Sequence, residues 1–238
     1  MQYFLVHTLF SAAYILILLF CMSTFIFFSI LWSYWHDLMG APEQGCILYA
    51  SEVKNYRNAF FSKGGKKILC YSSIYGMLPF LAVALWAALI HLFYVCQKKR
   101  FEESQLSFHQ TRCTAKPRIE AICCLICGLL NFAYALFIIV GFFQTCEIGR
   151  GSLRRGCHIF PNINIDATNP TTASCFRVFT HLDACSSKHV RRDHINTAAL
   201  LIAAICFQFL SSTVWIASFV GNLCICTYYK VESLGLDV

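Results

Sequence analysis

Apolar residues fill four long stretches of the chain, and charged residues gather in the gaps between them. No Lys, Arg, Asp or Glu interrupts 3–35, 71–96 or 197–226, and Glu120 alone interrupts 119–143. An apolar run of roughly 18 or more residues without charges reads as a membrane-spanning helix. Each run must be helical, because an isolated span in lipid has to satisfy its own backbone hydrogen bonds. At about 1.5 Å per residue the first run is longer than a ~30 Å hydrocarbon core, so it must tilt or project from the bilayer.

Composition supports the same reading. Hydrophobic residues make up 58% of the 238-residue chain and charged residues 13%, where soluble domains carry about 25% charged. A soluble all-α fold could not hide that much apolar surface, so lipid is the solvent for much of it. The first run has no basic segment ahead of it and is about twice the usual length of a signal-peptide core, so it reads as a retained helix.

Two signals of orientation disagree. The gap between the second and third spans is dense in cations (Lys98, Lys99, Arg100, Arg112, Lys116 and Arg118), which marks it as cytosolic. Yet the other two loops together hold twelve Lys and Arg, against seven for that gap plus Lys230. Cysteines break the tie. The first loop with its edge holds Cys46 and Cys70, and the third holds Cys146, Cys157, Cys175 and Cys185. Even numbers are what paired disulfides in an oxidising compartment require. The middle loop holds Cys113 alone, and with Cys96, Cys224 and Cys226 it forms a juxtamembrane set open to palmitoylation. Both termini are therefore expected in the cytosol, at the plasma membrane or a membrane of the secretory pathway. Basic outer loops then suit an acidic partner surface.

The predicted fold is all-α, a four-helix transmembrane bundle with two small disulfide-tied extracellular loops. Its helices occupy 1–35, 70–97, 119–143 and 196–227. The extracellular loops are 36–69 and 144–195, the cytosolic loop 98–118 and the cytosolic tail 228–238. A Cys46–Cys70 bridge would close a loop of 24 residues, worth about 3–4 kcal/mol in the chain-entropy model. Pairing between the two outer loops competes equally. Cys21, Cys123, Cys124, Cys127 and Cys206 fall inside spans, where thiols behave as small hydrophobes. A metal site built on Cys123-Cys124-x-x-Cys127 would have to desolvate its thiolates in lipid.

The ordered motifs carry a resemblance. Gly45-Cys46-Ile47-Leu48-Tyr49 precedes Cys70 at the head of the second span, Cys146 follows the third, and Ala184-Cys185-Ser186 comes shortly before the fourth. In that order and spacing, over nearly the whole chain, the sequence resembles the transmembrane protein 179 family. The resemblance implies four spans, cytosolic termini and no catalysis. In that family only a short segment separates the two cysteines of the last loop, whereas Cys146 and Cys185 here stand 39 positions apart. The extra stretch reads as an insertion with its own disulfide, Cys157–Cys175, leaving Cys146 to Cys185 or to a cross-loop partner. Tetraspanins carry Cys-Cys-Gly in the large outer loop, and claudin-like proteins carry Trp and paired Cys in a longer first loop; neither pattern is found here.

Polar residues inside spans are functional candidates by default. Glu120 beside Arg118 reads as a solvated ion pair, and His91 as an interfacial residue one turn from the span end. Asn131 and Gln208, near mid-membrane, read as helix-contact residues that bond each other or a partner helix, glue worth under about 1 kcal/mol. Span two carries Gly76 and Pro79, which should kink its outer half. Ala199 with Ala203, and the region of Gly221, offer small surfaces for close helix contact. No line of polar groups suited to a transport path is expected. His158, His181, His189 and His194 lack the number and placement of membrane di-iron sites. No acyltransferase signature, nucleophile elbow, phosphate loop or catalytic carboxylate pair occurs. Catalytic, cofactor-binding and metal residues are therefore expected to be none.

Arg154-Arg155 and Arg191-Arg192 read as membrane-proximal charge rather than a nucleic-acid site. Asn169-Pro170-Thr171 has Pro at the position that forbids glycosylation. Leu236-Asp237-Val238 matches the tail that cytosolic PDZ proteins take by strand addition, with Leu236 and Val238 as its ligand residues. The leading expectation is a non-enzymatic accessory subunit of a larger membrane-protein host: a channel, receptor or transporter. The alternatives are an adhesion or junction protein acting through its outer loops, and an oligomeric channel or small transporter.

Overall fold

The computed structural model describes residues 2–35, 44–51, 63–101, 116–154, 175–176, 178–180, 183 and 195–233. In chain order its elements are α1 (Gln2–Trp35), β1 (Gln44–Ser51), β2 (Lys63–Lys66), α2 (Lys67–Tyr75), α3 (Leu78–Phe101), α4 (Lys116–Arg154) and α5 (Thr197–Ser233). Among the described residues, four stretches are long and apolar enough to cross a membrane: Leu5–Trp35, Lys67–Cys96, Arg118–Glu147 and Thr197–Thr227. The chain is an integral membrane protein with four long apolar helices and disulfide-tied loops.

Burial along the helices advances by alternate steps of three and four. It runs Phe10, Tyr14, Ile17, Cys21, Thr24 on α1, then Ala121, Cys124, Gly128, Asn131, Ala135 on α4, and Leu201, Ala204, Gln208, Ser211, Trp215 on α5. That 3.5-residue spacing keeps one narrow seam facing a neighbour, as knobs-into-holes packing requires. Leu, Ile and Phe crowd the opposite faces, where lipid makes their exposure costless. Apolarity therefore does not mark the inside. The seam instead collects the polar residues of the spans, among them Thr24, His91, Asn131, Gln208, Ser211 and Asn222, all buried.

The second span is broken. The Gly76 amide donates to the Ser72 carbonyl (3.0 Å) and closes α2, and a two-residue turn leads into α3. Pro79 falls in the first turn of α3, where a missing N–H costs nothing. The third helix runs past the expected Phe143 to Arg154. Apolarity sets the length of a span but not of the helix that carries it, and nothing in 144–154 stops the helix.

The chain divides into two compact units. Unit 1 comprises Met1–Met22, Leu78–Tyr134 and Phe207–Val238. Its core packs Phe10, Tyr14, Ile17, Ala84, Ala88, Cys124 and Trp215. Gly128 lets α4 and α5 approach: a Cβ there would lie 3.1 Å from Ile216 Cγ1 and 3.3 Å from Trp215 Cβ. The same contact brings the Ser212 hydroxyl onto the Gly128 carbonyl at 3.0 Å. Gly221 seats the Phe10 ring, 3.1 Å from its Cζ.

Unit 2 comprises Ser23–Met77 and Ala135–Cys206. Here α5 packs through Ala198, Leu201 and Ala204. Ala199 faces outward and Ala203 is half-buried, so the small-residue contact is shifted by one position from the expected pair. The first loop holds an antiparallel hairpin, β1 with β2, its register irregular between Gln44↔Lys66, Cys46↔Gly65 and Ser51↔Lys63. The sequence reading holds no strand there, because Lys63-Gly64-Gly65-Lys66 has no strand signature.

The hairpin is fastened to α4. Cys46, Ile47 and Leu48 are buried, and Thr145 donates its hydroxyl to the Ile47 carbonyl (2.7 Å). Tyr49 holds a φ of 58°, a left-handed conformation uncommon for a residue with a Cβ. Its hydroxyl donates to the Phe137 carbonyl at 2.7 Å, and its ring lies where a Cβ on Gly141 would be, 2.7 Å away. Burial pushes the Tyr49 phenol above its ordinary value.

Among the described residues, two disulfides tie unit 2, Cys46–Cys70 and Cys146–Cys175. The second corrects the expected Cys157–Cys175 bridge. Because α4 continues to Arg154, Cys146 sits on a helix rather than at the start of a loop, and Cys175 lies with Val178 and Phe179, both fully buried. Phe179 stacks on Phe142 of the same helix with centroids 5.1 Å apart.

The start of α5 is fixed by two side chains, an amide and a carboxylate. The Asn196 side chain accepts the Ala199 amide at 3.0 Å as an N-cap. Asp183, fully buried, accepts the Thr197 amide (2.8 Å) and the Thr197 hydroxyl (2.5 Å). An anion at that helix end also opposes the positive pole of the helix dipole. The Trp35 indole N–H donates to the Thr197 hydroxyl oxygen at 2.8 Å, drawing α1 into the same network.

Candidate functional site

Unit 1 holds a continuous chain of side-chain hydrogen bonds. His7 and Tyr14 stand seven residues apart on α1, two turns along one face. His91 comes from α3, and Glu120 and Cys124, one turn apart, come from α4. His7 Nδ1 and His91 Nδ1 are 2.8 Å apart. His91 Nε2 lies 2.8 Å from Glu120 Oε1, the same oxygen that accepts the Tyr14 hydroxyl at 2.5 Å. Tyr14 Oη is 3.2 Å from Cys124 Sγ, and the Asn222 side chain on α5 also reaches the carboxylate.

The carboxylate sets the direction of every bond. Ionised Glu120 only accepts, so Tyr14 O–H and His91 Nε2–H both donate to it. The Tyr14 oxygen is then free to accept the Cys124 S–H. With its proton on Nε2, a neutral His91 leaves the Nδ1 lone pair exposed, and His7 Nδ1–H donates to it. Aromatic rings surround the group: Phe10 stacks on His91 at 5.3 Å, Tyr94 lies 5.1 Å from His7, and Trp215 meets Tyr14 edge-on at 5.7 Å.

One expectation is corrected by this arrangement. Glu120 does not stand in solvent paired with Arg118; its side chain is 28% exposed and turned toward His91 and Tyr14. His91 keeps its place five residues from the span end at Cys96, with its ring packed inside the protein at 5% exposure. A lateral chain of polar side chains joins the helices of unit 1 near one end of the spans, which sequence reading did not anticipate. Single-residue reading missed it because the partners lie 29 to 110 positions apart along the chain, and because Tyr14 reads as apolar bulk in a run of Leu and Ile. The one signal available was the seven-residue spacing of His7 and Tyr14.

A second buried cluster lies deeper in the same unit. Gln208 Nε2 donates to Asn131 Oδ1, and Asn131 Nδ2 donates to the Ser211 hydroxyl at 3.1 Å. Ser211 in turn is 3.3 Å from Cys21 Sγ. The structure thus brings Asn131 and Gln208 together and adds Ser211 and Cys21, which sequence reasoning did not single out. Among the described residues, Gln208 Oε1, Trp215 Nε1 and Ser218 Oγ are buried without a hydrogen-bond partner.

Of the juxtamembrane thiols, Cys96 and Cys224 are free and exposed and Cys226 is free and half-buried. Cys113, Cys157, Cys185, Leu236 and Val238 lie outside the described residues, as do His158, His181, His189, His194, Arg191 and Arg192. Among the described residues no group of three or more His, Cys, Asp or Glu side chains is placed to hold a metal ion. No family model, curated protein or solved structure matches the chain.

Proposed function

We propose that this chain is a non-enzymatic accessory subunit of a larger membrane complex, built around a channel, receptor or transporter. The observation that carries the reading is Trp86. It lies on the outer side of α3, 69% exposed, and ten residues, about 15 Å along the helix, from the span end at Cys96. That depth is close to the centre of a ~30 Å hydrocarbon layer, whereas Trp favours the two interfaces. An indole N–H facing hydrocarbon has no acceptor, which is costly, and no described residue supplies one. A host helix carrying a hydroxyl or carbonyl at that depth would accept it. Leu85, Leu89 and Phe93 surround Trp86 with exposed apolar surface, suited to lateral packing.

The same proposal puts both termini in the cytosol and assigns the chain to the transmembrane protein 179 family. Support for the orientation is chemical. Both disulfides among the described residues belong to unit 2, and Cys96, Cys224 and Cys226 of unit 1 are free thiols. Disulfides persist in oxidising compartments and thiols in reducing ones. The test is a photo-reactive amino acid placed at position 86 in native membranes, with the outward position Ile122 on α4 as control. The reading expects one host protein cross-linked from position 86 and not from 122. Cross-linking to lipid alone from both positions would overturn it.

A further inference from the structure

The free thiols of unit 1 lie at different depths. Cys96, Cys123 and Cys224 are free and exposed, as is Cys206 of unit 2, and Cys226 is free and half-buried. From Leu78 to Cys96, α3 covers about 28 Å, close to a ~30 Å hydrocarbon core. Lys98, Lys99 and Arg100 follow at once, and such cations keep to the headgroup and water layers. Cys96 therefore stands at the boundary of the hydrocarbon. On α5, Cys224 is three residues from the span end at Thr227, about 4.5 Å, with Lys230 beyond it. The second and fourth spans run in the same direction, so both thiols reach the same side of the membrane. Cys123 lies five residues inside the third span, about 7.5 Å, and Cys206 nine residues inside the fourth from its other end, about 14 Å.

Each of the two boundary thiols ends an exposed apolar stripe. Leu89, Phe93 and Cys96 on α3 are exposed at steps of four and three, and Ala217, Val220 and Cys224 on α5 at steps of three and four. Residues at those steps share a helix face. Phe93 is 58% exposed and Val220 50%. A hydrocarbon chain attached at either sulfur runs along surface that already faces lipid. Cys226 differs, because the buried Asn222 stands one turn before it on the same face.

We propose that Cys96 and Cys224 are sites of reversible S-acylation by a long-chain acyl-coenzyme A. The carrier has an apolar tail and a head bearing several phosphates, so it delivers its acyl group only where a sulfur meets both hydrocarbon and water. The cations that follow Cys96 attract such a head. At Cys123 or Cys206 the phosphates would have to enter the hydrocarbon, at heavy desolvation cost. The step balances. The cysteine sulfur attacks the acyl carbonyl carbon and a new carbon–sulfur bond forms. The bond from that carbon to the coenzyme A sulfur breaks, and coenzyme A leaves as a thiol with the proton the cysteine gives up. Nothing is oxidised or reduced. Hydrolysis returns the free thiol and a fatty acid, so the state can be reset. The inference rests on the cytosolic placement of the termini proposed above, and it is independent of whether the chain serves a host.

The test is thiol exchange on the full-length chain in native membranes. Free thiols are blocked, neutral hydroxylamine cleaves thioesters, and each released thiol takes a polymer tag that shifts the band on a gel. The expected result is a set of hydroxylamine-dependent shifts from which Cys96→Ser and Cys224→Ser each remove one. Cys123→Ser and Cys206→Ser should remove none. Serine at an exposed span end leaves the packed seam untouched, so the variants keep the fold. An epitope at the C-terminus, read in intact and in permeabilised cells, separates the two readings. No shift in the wild type, with the epitope reached only after permeabilisation, would overturn acylation and leave the orientation standing. An epitope reached in intact cells would overturn the orientation and the acylation with it. Shifts unchanged in the Cys96→Ser, Cys224→Ser double variant, or lost equally on substitution of Cys123 or Cys206, would overturn the assignment of the two sites.

Discussion

Gly141→Ala tests how the first loop is fastened. The added Cβ would lie 2.7 Å from Tyr49 Cε2, 3.0 Å from Tyr49 Cδ2 and 3.2 Å from Leu48 Cβ. The ring cannot swing away freely, because its hydroxyl is anchored on the Phe137 carbonyl and its backbone holds a left-handed φ. Overpacking of this kind costs about 1–3 kcal/mol. Displacing the ring also loses a hydrogen bond of about 1 kcal/mol. Against this, Ala in place of a helical Gly recovers up to about 1 kcal/mol, so the net destabilisation should be about 1–3 kcal/mol. The assay is a double-mutant cycle on thermal unfolding in detergent, with Gly141→Ala, Tyr49→Ala and the pair. In the Tyr49→Ala background the nearest clashing atoms are gone, and Gly141→Ala should cost little or stabilise. Equal cost in both backgrounds would refute the reasoning, because it would mean Tyr49 does not occupy the space above Gly141.

Three further outcomes follow from the same structure. Asn131→Leu takes the acceptor from the Gln208 amide and a donor from Ser211, whereas Gln208→Leu also removes the unpartnered Oε1. Asn131→Leu should therefore cost more, about 1–2 kcal/mol, and unfolding that ranks them the other way contradicts the assigned donors. Replacing Cys46 and Cys70 by Ser opens a 24-residue loop and should cost about 3–4 kcal/mol, read as a lowered unfolding midpoint that reductant no longer changes at that pair. Burial raises the Tyr49 phenol above its unfolded value of about 10. A raised folded value means its contribution is present at lower pH and is lost as pH rises through the folded value. Stability should hold up to about pH 10 and then fall, and Tyr49→Phe should remove that alkaline step; an identical step in the variant would show that another group causes it.

How much of this was legible before the structure depended on what each signal measures. Hydropathy finds lipid-compatible length, and it located all four spans to within a few residues at most ends. It says nothing about which face of a span packs, because Leu85 toward lipid and Ala84 toward the core are equally apolar. The mark of the inside was the rare polar residue, and Asn131 and Gln208 were read correctly as contact residues on that ground. Glu120 was misread because its neighbour Arg118 is close in sequence, while Tyr14 and His91 are close only in space. The hairpin escaped because it is held by a disulfide and by Tyr49 on Gly141, not by strand propensity in Lys63-Gly64-Gly65-Lys66. The Cys146–Cys175 pairing was obscured by a helix that outruns its apolar segment and carries Cys146 with it.

The most direct test of the accessory-subunit account is purification from native membranes in a mild detergent, with everything retained at fixed stoichiometry identified by mass spectrometry. The account predicts a larger membrane protein held at a constant ratio, and loss of that ratio when Trp86 is replaced by Leu while the chain remains folded. Recovery of the chain alone, or only with copies of itself, would contradict it.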